Sequence, residues 1–137
     1  MKIEPKIRQN ICLNAHPEGC REQVREQIDY IRSQPPIDGP RRVLVVGSSN
    51  GYGLAARITS AFSCGAATAG VFLERPGTAN RTATVGWYNN LAFEHEAHDA
   101  GLTAFSLNGD AFSNEIRSQT IDQIADEMGP VDCVIYS

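Results

Sequence analysis

The chain has 137 residues, 42% of them apolar and 20% charged, which suffices for one modest domain with a buried core. Its net charge of −4 argues against nucleic acid as a main partner, because a phosphate backbone calls for a basic surface. No apolar run is long enough to span a bilayer, and residues 1–14 lack the unbroken apolar core of a secretory signal, which predicts a cytoplasmic protein.

In chain order, residues 2–13 read as an extended segment. A helix runs from Pro17 to Ser33, with Val24, Ile28 and Ile31 on one face and Glu22, Arg25, Glu26 and Arg32 facing water. Pro17 suits a first helical turn, and Pro35-Pro36 ends the run. Residues 1–40 therefore read as an N-terminal extension with one helix that packs on the core formed by residues 41–137. Cys12, His16 and Cys20 form C-x3-H-x3-C, but a fourth ligand and the spacing of a zinc knuckle are missing, so no metal is expected. With no C-x-x-C pair, Cys12, Cys20, Cys64 and Cys133 are expected as reduced thiols.

From residue 41 short apolar runs alternate with amphipathic stretches, the pattern of a parallel α/β fold. Arg42–Val46 reads as a strand buried on both faces, then a glycine loop, then a helix over 53–62 with Leu54, Ile58 and Phe62 inward. Thr68–Leu73 is a second strand, and residues 75–86 form a polar loop. A helix near 88–100 puts Phe93, Ala97 and Ala100 inward and Glu94, His95, His98 and Asp99 outward. Leu102–Leu107 is a third strand. Ser113 caps a helix carrying Ile116, Ile121, Ile124 and Met128, which Gly129-Pro130 stops. Val131–Tyr136 is a fourth strand, and a buried parallel strand as the last element predicts a piece of a longer protein.

The sharpest signal is Gly47-Ser-Ser-Asn-Gly51-Tyr-Gly53, which comes after a strand and opens a helix. Gly47 allows a tight turn, Gly51 lets a diphosphate reach the backbone, and Gly53 permits close helix–strand packing. The helix end offers free N–H groups and a positive dipole to an anion. The spacing G-x3-G-x-G is the short-chain-dehydrogenase variant of the dinucleotide loop. Glu74 ends the second strand about 20 residues beyond Gly53, where an acid accepts hydrogen bonds from the adenosine ribose. Its charge disfavours a 2′-phosphate, so NADH is expected over NADPH, although Arg75 beside it suits an extra phosphate. Asp110 ends the third strand, placed for an adenine contact or for a simple turn. These corners lie at the carboxyl ends of successive strands, which predicts the N-terminal half of an NAD-binding, Rossmann-like domain over residues 41–137: a parallel sheet flanked by helices, stopping after about its fourth strand.

The residues that carry a family resemblance are Ile11-Cys12, His16-Pro17, Gly19-Cys20, Val43-Leu-Val-Val-Gly47-Ser-Ser-Asn-Gly51-Tyr-Gly53-Leu-Ala-Ala-Arg57, Gly70-Val-Phe-Leu-Glu74-Arg-Pro-Gly77, Gly86-Trp-Tyr-Asn89 and Asn108-Gly-Asp-Ala-Phe-Ser113. Together they resemble the trans-2-enoyl-CoA reductases, including bacterial enoyl-[acyl-carrier-protein] reductases of the FabV type, over essentially the whole chain. The resemblance implies a short-chain-dehydrogenase-like fold, NADH as hydride donor, and reduction of the C2–C3 double bond of an enoyl thioester in fatty acid synthesis. It further implies a coenzyme loop of Gly47, Ser48, Ser49, Asn50, Gly51 and Tyr52, an adenosine side of Leu73 and Glu74, and an adenine contact at Asp110 and Ala111. The family's catalytic Tyr and Lys, spaced Tyr-x8-Lys, lie downstream, so Tyr52, Tyr88 and Tyr136 do not take that role and the isolated chain is expected to show no turnover. Enoyl-CoA or enoyl-[acyl-carrier-protein] is the implied substrate and acyl carrier protein an implied partner. The parent is expected as a monomer, and the truncated sheet edge is expected to self-associate.

Two other readings compete. A methyltransferase also uses a glycine loop and acids after the second and third strands, but its loop reads G-x-G-x-G, which is absent here. A non-catalytic nucleotide sensor would bind NAD and reduce nothing. His95 and His98 lie on an outward helical face and are expected to be exposed rather than ligands. Trp87-Tyr88-Asn89 is open between a substrate contact and a helix cap.

Overall fold

The computed structural model describes residues 3–12 and 14–137. Of the extended segment, residues 2 and 13 lie outside the described residues. The rest folds back as a short antiparallel hairpin of β1 (Ile7–Arg8) and β2 (Ile11–Cys12), paired Ile7 to Cys12. Asn14 ties down its open end, accepting from Lys6 N and donating to Glu4 O, both at 2.8 Å.

Helix α1 (Pro17–Arg32) starts where Pro17 predicts, and His16 caps it by accepting from Gly19 N through Nδ1. The candidate metal ligands are engaged separately: His16 in this cap, Cys12 with Asn14 O, and Cys20 inside the core. The four cysteines are free thiols.

The expected α/β alternation is present: β3 (Arg42–Val46), α2 (Gly51–Phe62), β4 (Ala67–Phe72), α3 (Val85–Asp99), β5 (Ala104–Asn108), α4 (Asn114–Glu127) and β6 (Cys133–Tyr136). All pairings in this four-stranded sheet are parallel, in the order β5-β4-β3-β6. The chain works outward from β3 through β4 to β5, then crosses back to the other side of β3. The carboxyl ends of β3 and β6 therefore flank a topological switch point, where open α/β sheets bind ligands.

Helices α2 and α3 cover one face of the sheet, and α1 packs on those two helices. Their core joins Val24 and Ile28 to Leu54 and Ile58, Phe93 and Ala97. The other face is covered by α4 through Ile124, packed with Ala69 and Phe105. This asymmetry corrects two expectations. In β3, Val43 and Val45 are fully buried but Leu44 and Val46 only half-buried, so the strand is not enclosed on both faces. Strand β6 is likewise an edge strand that leaves Val134 and Tyr136 exposed rather than a buried one.

Smaller corrections have local causes. Helix α3 begins at Val85, and Ala100 is its exposed C-cap, not an inward residue. Thr120 takes the buried position expected of Ile121, and Ile121 is exposed. Strand β6 starts only at Cys133 because Asp132 turns its carboxylate onto the amides of Arg41 and Arg42, at 2.9 and 3.0 Å. His98 stays exposed as a residue but is not free, since its Nε2 meets Ala104 O at 2.7 Å. Neighbouring His95 pairs with Asp99.

Candidate functional site

The loop between β3 and α2 carries the three glycines in distinct roles. Gly47 has φ +87°, and a Cβ there would lie 2.4 Å from Ser137 O, so the turn needs glycine for both backbone and space. A Cβ on Gly53 would lie 2.0 Å from Gly47 O, which fixes how tightly α2 returns over the loop. Gly51 has φ +53° and nothing within 4 Å of its Cβ position, so open space lies above the helix end.

Asn50 is the N-cap of α2 by position, yet its side chain makes no capping bond and the first turn holds no acid. The first helical hydrogen bond runs from Leu54 N to Asn50 O (3.2 Å), so the helix leaves the amides of Gly51, Tyr52 and Gly53 unused. With the helix dipole behind them, these amides make a positive patch suited to an anion. The earlier loop amides are not part of it: Gly47 N and Ser48 N both donate to Val71 O, at 2.8 and 3.1 Å. Ser48 also turns its hydroxyl inward onto Asn90 Oδ1 (3.2 Å) and is fully buried. Of the expected loop contacts, Ser48 therefore shapes the loop from within, while Tyr52 stands 91% exposed at its rim.

Glu74 lies just past β4, held beside the loop. Its Oε1 accepts from Ser49 Oγ (2.8 Å) and Asn50 Nδ2 (3.2 Å), and among the described residues Oε2 has no protein partner. Reciprocal hydrogen bonds between the Glu74 backbone and the Asn108 side chain, at 2.8 and 3.0 Å, lock this strand end to β5. Leu73 is outside β4 and 72% exposed, an apolar side chain at a strand end with no core to join. Asp110 adopts the turn that its position allows, with Oδ1 accepting from Phe112 N at 2.9 Å. Gly47, Leu73, Asp110 and Ala111 meet in one cleft of about 190 Å³, completed by Phe72 and Tyr136. A larger cavity of about 600 Å³, between the N-terminal hairpin and the 75–85 loop, contains none of the glycine-loop residues.

Beneath the loop lies a buried polar cluster that the sequence reading missed. Arg57 is fully buried, its guanidinium 4.4 Å from the Phe93 ring centroid. It donates to Asn90 Oδ1 (3.2 Å), Ser106 Oγ (2.6 Å), Phe105 O (2.6 Å) and Thr68 Oγ1 (3.3 Å). Burial lowers its pKa to about 10, opposed by Glu94 3.9 Å away, so it remains charged at neutral pH. Glu94 is thus turned toward the core and not outward. The signal was present: Arg57 falls between Leu54 and Ile58 on the apolar face of α2. So was Gly70 inside β4, whose absent side chain leaves room for the guanidinium, 2.5 Å from where a Cβ would stand.

The Trp87-Tyr88-Asn89 run lies inside α3, whose N-cap is Thr84, and so does not cap the helix. Trp87 packs edge-on against Phe72, and Tyr88 Oη accepts from Ala83 N (3.0 Å). Asn89 donates to Ser49 O (3.2 Å) and Asn50 Oδ1 (2.9 Å), fastening the glycine loop to α3.

Comparison with known proteins places this geometry. The family profile for the NAD(P)H binding domain of trans-2-enoyl-CoA reductase matches residues 2–79, and that for the trans-2-enoyl-CoA reductase catalytic region matches residues 81–137. The enoyl-[acyl-carrier-protein] reductase [NADH] of Saccharophagus degradans is 59% identical over 100% of this chain and 35% of its own length. The trans-2-enoyl-CoA reductase [NADH] of Ruminiclostridium cellulolyticum is 56% identical, again over 100% and 35%. Among solved structures, the Clostridium acetobutulicum trans-2-enoyl-CoA reductase in complex with NADH superimposes with a TM-score of 0.94 at 42% identity, covering 99% of this chain and 34% of that one. The Treponema denticola enzyme in complex with NAD gives 0.89 at 45% identity, covering 99% and 36%. The chain thus spans about a third of the length of the relatives it matches.

Proposed function

Because this chain belongs to the trans-2-enoyl-CoA reductase family, we propose that it forms the coenzyme-binding part of a cytoplasmic, NADH-dependent reductase of trans-2-enoyl thioesters in fatty acid synthesis. The observation that carries this reading is the meeting of an uncapped helix end with a carboxylate at neighbouring carboxyl ends of parallel strands. The amides of Gly51, Tyr52 and Gly53 receive the coenzyme diphosphate, and the open space above Gly51 lets it approach. Gly47, Ser48 and Asn50 hold the loop in shape, and Ser49 holds the acid. Glu74 Oε2 accepts from a ribose hydroxyl while its charge repels a 2′-phosphate, which selects NADH. Leu73 and Ala111 cover the adenine in the cleft, and the second oxygen of Asp110 accepts from its amino group. When bound, the coenzyme supplies hydride to the carbon β to the thioester carbonyl.

This chain orients the coenzyme and holds none of the proton-donating chemistry. Its only lysines, Lys2 and Lys6, precede every tyrosine, so no Tyr-x8-Lys pair exists within it. Residues 1–40 serve as an extension packed on the coenzyme-binding half, and the acyl group arrives on coenzyme A or acyl carrier protein.

Titration calorimetry with NADH, NADPH and S-adenosylmethionine tests the reading. NADH is expected to bind most tightly, with Glu74→Gln weakening it about tenfold, as loss of a charged hydrogen bond does. Binding of S-adenosylmethionine in preference to NADH would refute it. Crotonyl-CoA with NADH is expected to remain unreduced by the isolated chain.

A further inference from the structure

Gly86 lies in the first turn of α3, buried, and it is the place where that helix meets the coenzyme acid. A Cβ at Gly86 would stand 2.1 Å from Glu74 Oε1, 2.6 Å from Glu74 Cδ and 2.6 Å from Asn50 Nδ2. The carboxylate therefore fills the space that any other residue at position 86 would occupy. We propose that Gly86 is a specificity-determining position: its missing side chain seats the Glu74 carboxylate where it accepts NADH and rejects NADPH. This rests on the NADH reading of the site.

The seat is built from three sides. The positive end of α3 lies under the carboxylate, and Thr84, the N-cap, spends its hydroxyl on Arg75 and makes no capping bond. Asn50 and Ser49 hold Oε1 from the glycine-loop side. Asn89, also buried and one helical turn after Gly86, fixes that loop with both amide hydrogens while its own Oδ1 has no partner among the described residues. A buried carbonyl left unpaired is a cost, so Asn89 is oriented by its two donated bonds. Arg75, the nearest cation along the chain, makes no ion pair with Glu74 among the described residues, so no guanidinium stands between the acid and a 2′-phosphate.

The atoms that a new Cβ would meet are the ends of flexible side chains, and Gly86 has no left-handed φ. Gly86→Ala should therefore fold, with the carboxylate pushed out of its seat. The test measures dissociation constants for NADH and NADPH on the chain, its Gly86→Ala and Glu74→Ala variants, and the double variant, with circular dichroism as the fold check. The original chain is expected to favour NADH by at least about tenfold, and Gly86→Ala to weaken NADH roughly tenfold while NADPH changes little. In the Glu74→Ala background the same change should leave both affinities within about twofold, because its target is gone. An unchanged coenzyme ratio in Gly86→Ala overturns the proposal, as does an effect that persists without Glu74. An original chain that binds both coenzymes equally overturns the underlying reading and this one with it. If Gly86→Ala does not fold, Asn50→Ala, which removes the opposite wall of the seat, must show the same loss of preference.

Discussion

Replacing Arg57 by leucine probes the cluster that holds the glycine loop in place. The change removes donors from Phe105 O, Ser106 Oγ and Thr68 Oγ1, and leaves the half-buried Glu94 facing no cation. Three lost hydrogen bonds from a charged donor, at about 1.5–3 kcal/mol each, give a loss of roughly 6 kcal/mol. Against this, the leucine needs no desolvation of a charge. A guanidinium pKa lowered by burial to about 10 sets that relief at roughly 3 kcal/mol. The net expectation is a loss of about 3 kcal/mol, a large part of the stability of a domain this size, with Tm lower by about 10 °C. Urea unfolding followed by the fluorescence of Trp87, the single tryptophan, reads it directly. Gly70→Ala supplies the control, since its Cβ would stand 2.5 Å from Arg57 Nη1 and 2.8 Å from Cζ. It should destabilise the original chain by about 1–3 kcal/mol and the Arg57→Leu chain by clearly less. A cost of Arg57→Leu below about 1 kcal/mol, or strict additivity with Gly70→Ala, would refute the cluster as the support of the loop.

Gly53→Ala drives a methyl group into Gly47 O and should destabilise the fold itself, whereas Gly51→Ala meets open space in the free chain, should cost only about 1–2 kcal/mol of backbone strain, and should weaken NADH by standing where the diphosphate approaches; calorimetry beside urea unfolding separates the two. The backbone amides of Arg41 and Arg42 lower the pKa of Asp132, so its folded value lies below its unfolded one. The stability it adds is therefore present above about pH 4 and lost as the pH falls through the folded value. Asp132→Asn should flatten the acid side of a stability–pH curve measured by urea midpoints. Burial raises the thiol pKa of Cys20, while Cys12 is exposed. At pH 8 a disulfide reagent should label Cys12 first and Cys20 last, as read by mass spectrometry of timed digests.

The sequence by itself determined the alternation of strands and helices, the glycine loop and the acid at position 74. Each of these is written in neighbours: a periodic apolar face, a glycine at a turn, a cap at Ser113, a carboxylate just past a strand. The same local reading placed β3 and β6 too deep, because burial of a strand's second face depends on what packs there, and among the described residues it is α4 that covers that side. Only the tertiary structure decided which groups surround the site. Ser48 reaches Asn90, Arg57 reaches Ser106 and Gly86 makes room for Glu74 across segments far apart in the chain. No periodicity specifies such contacts, since a buried charge and an absent Cβ acquire meaning only from the atoms folded against them.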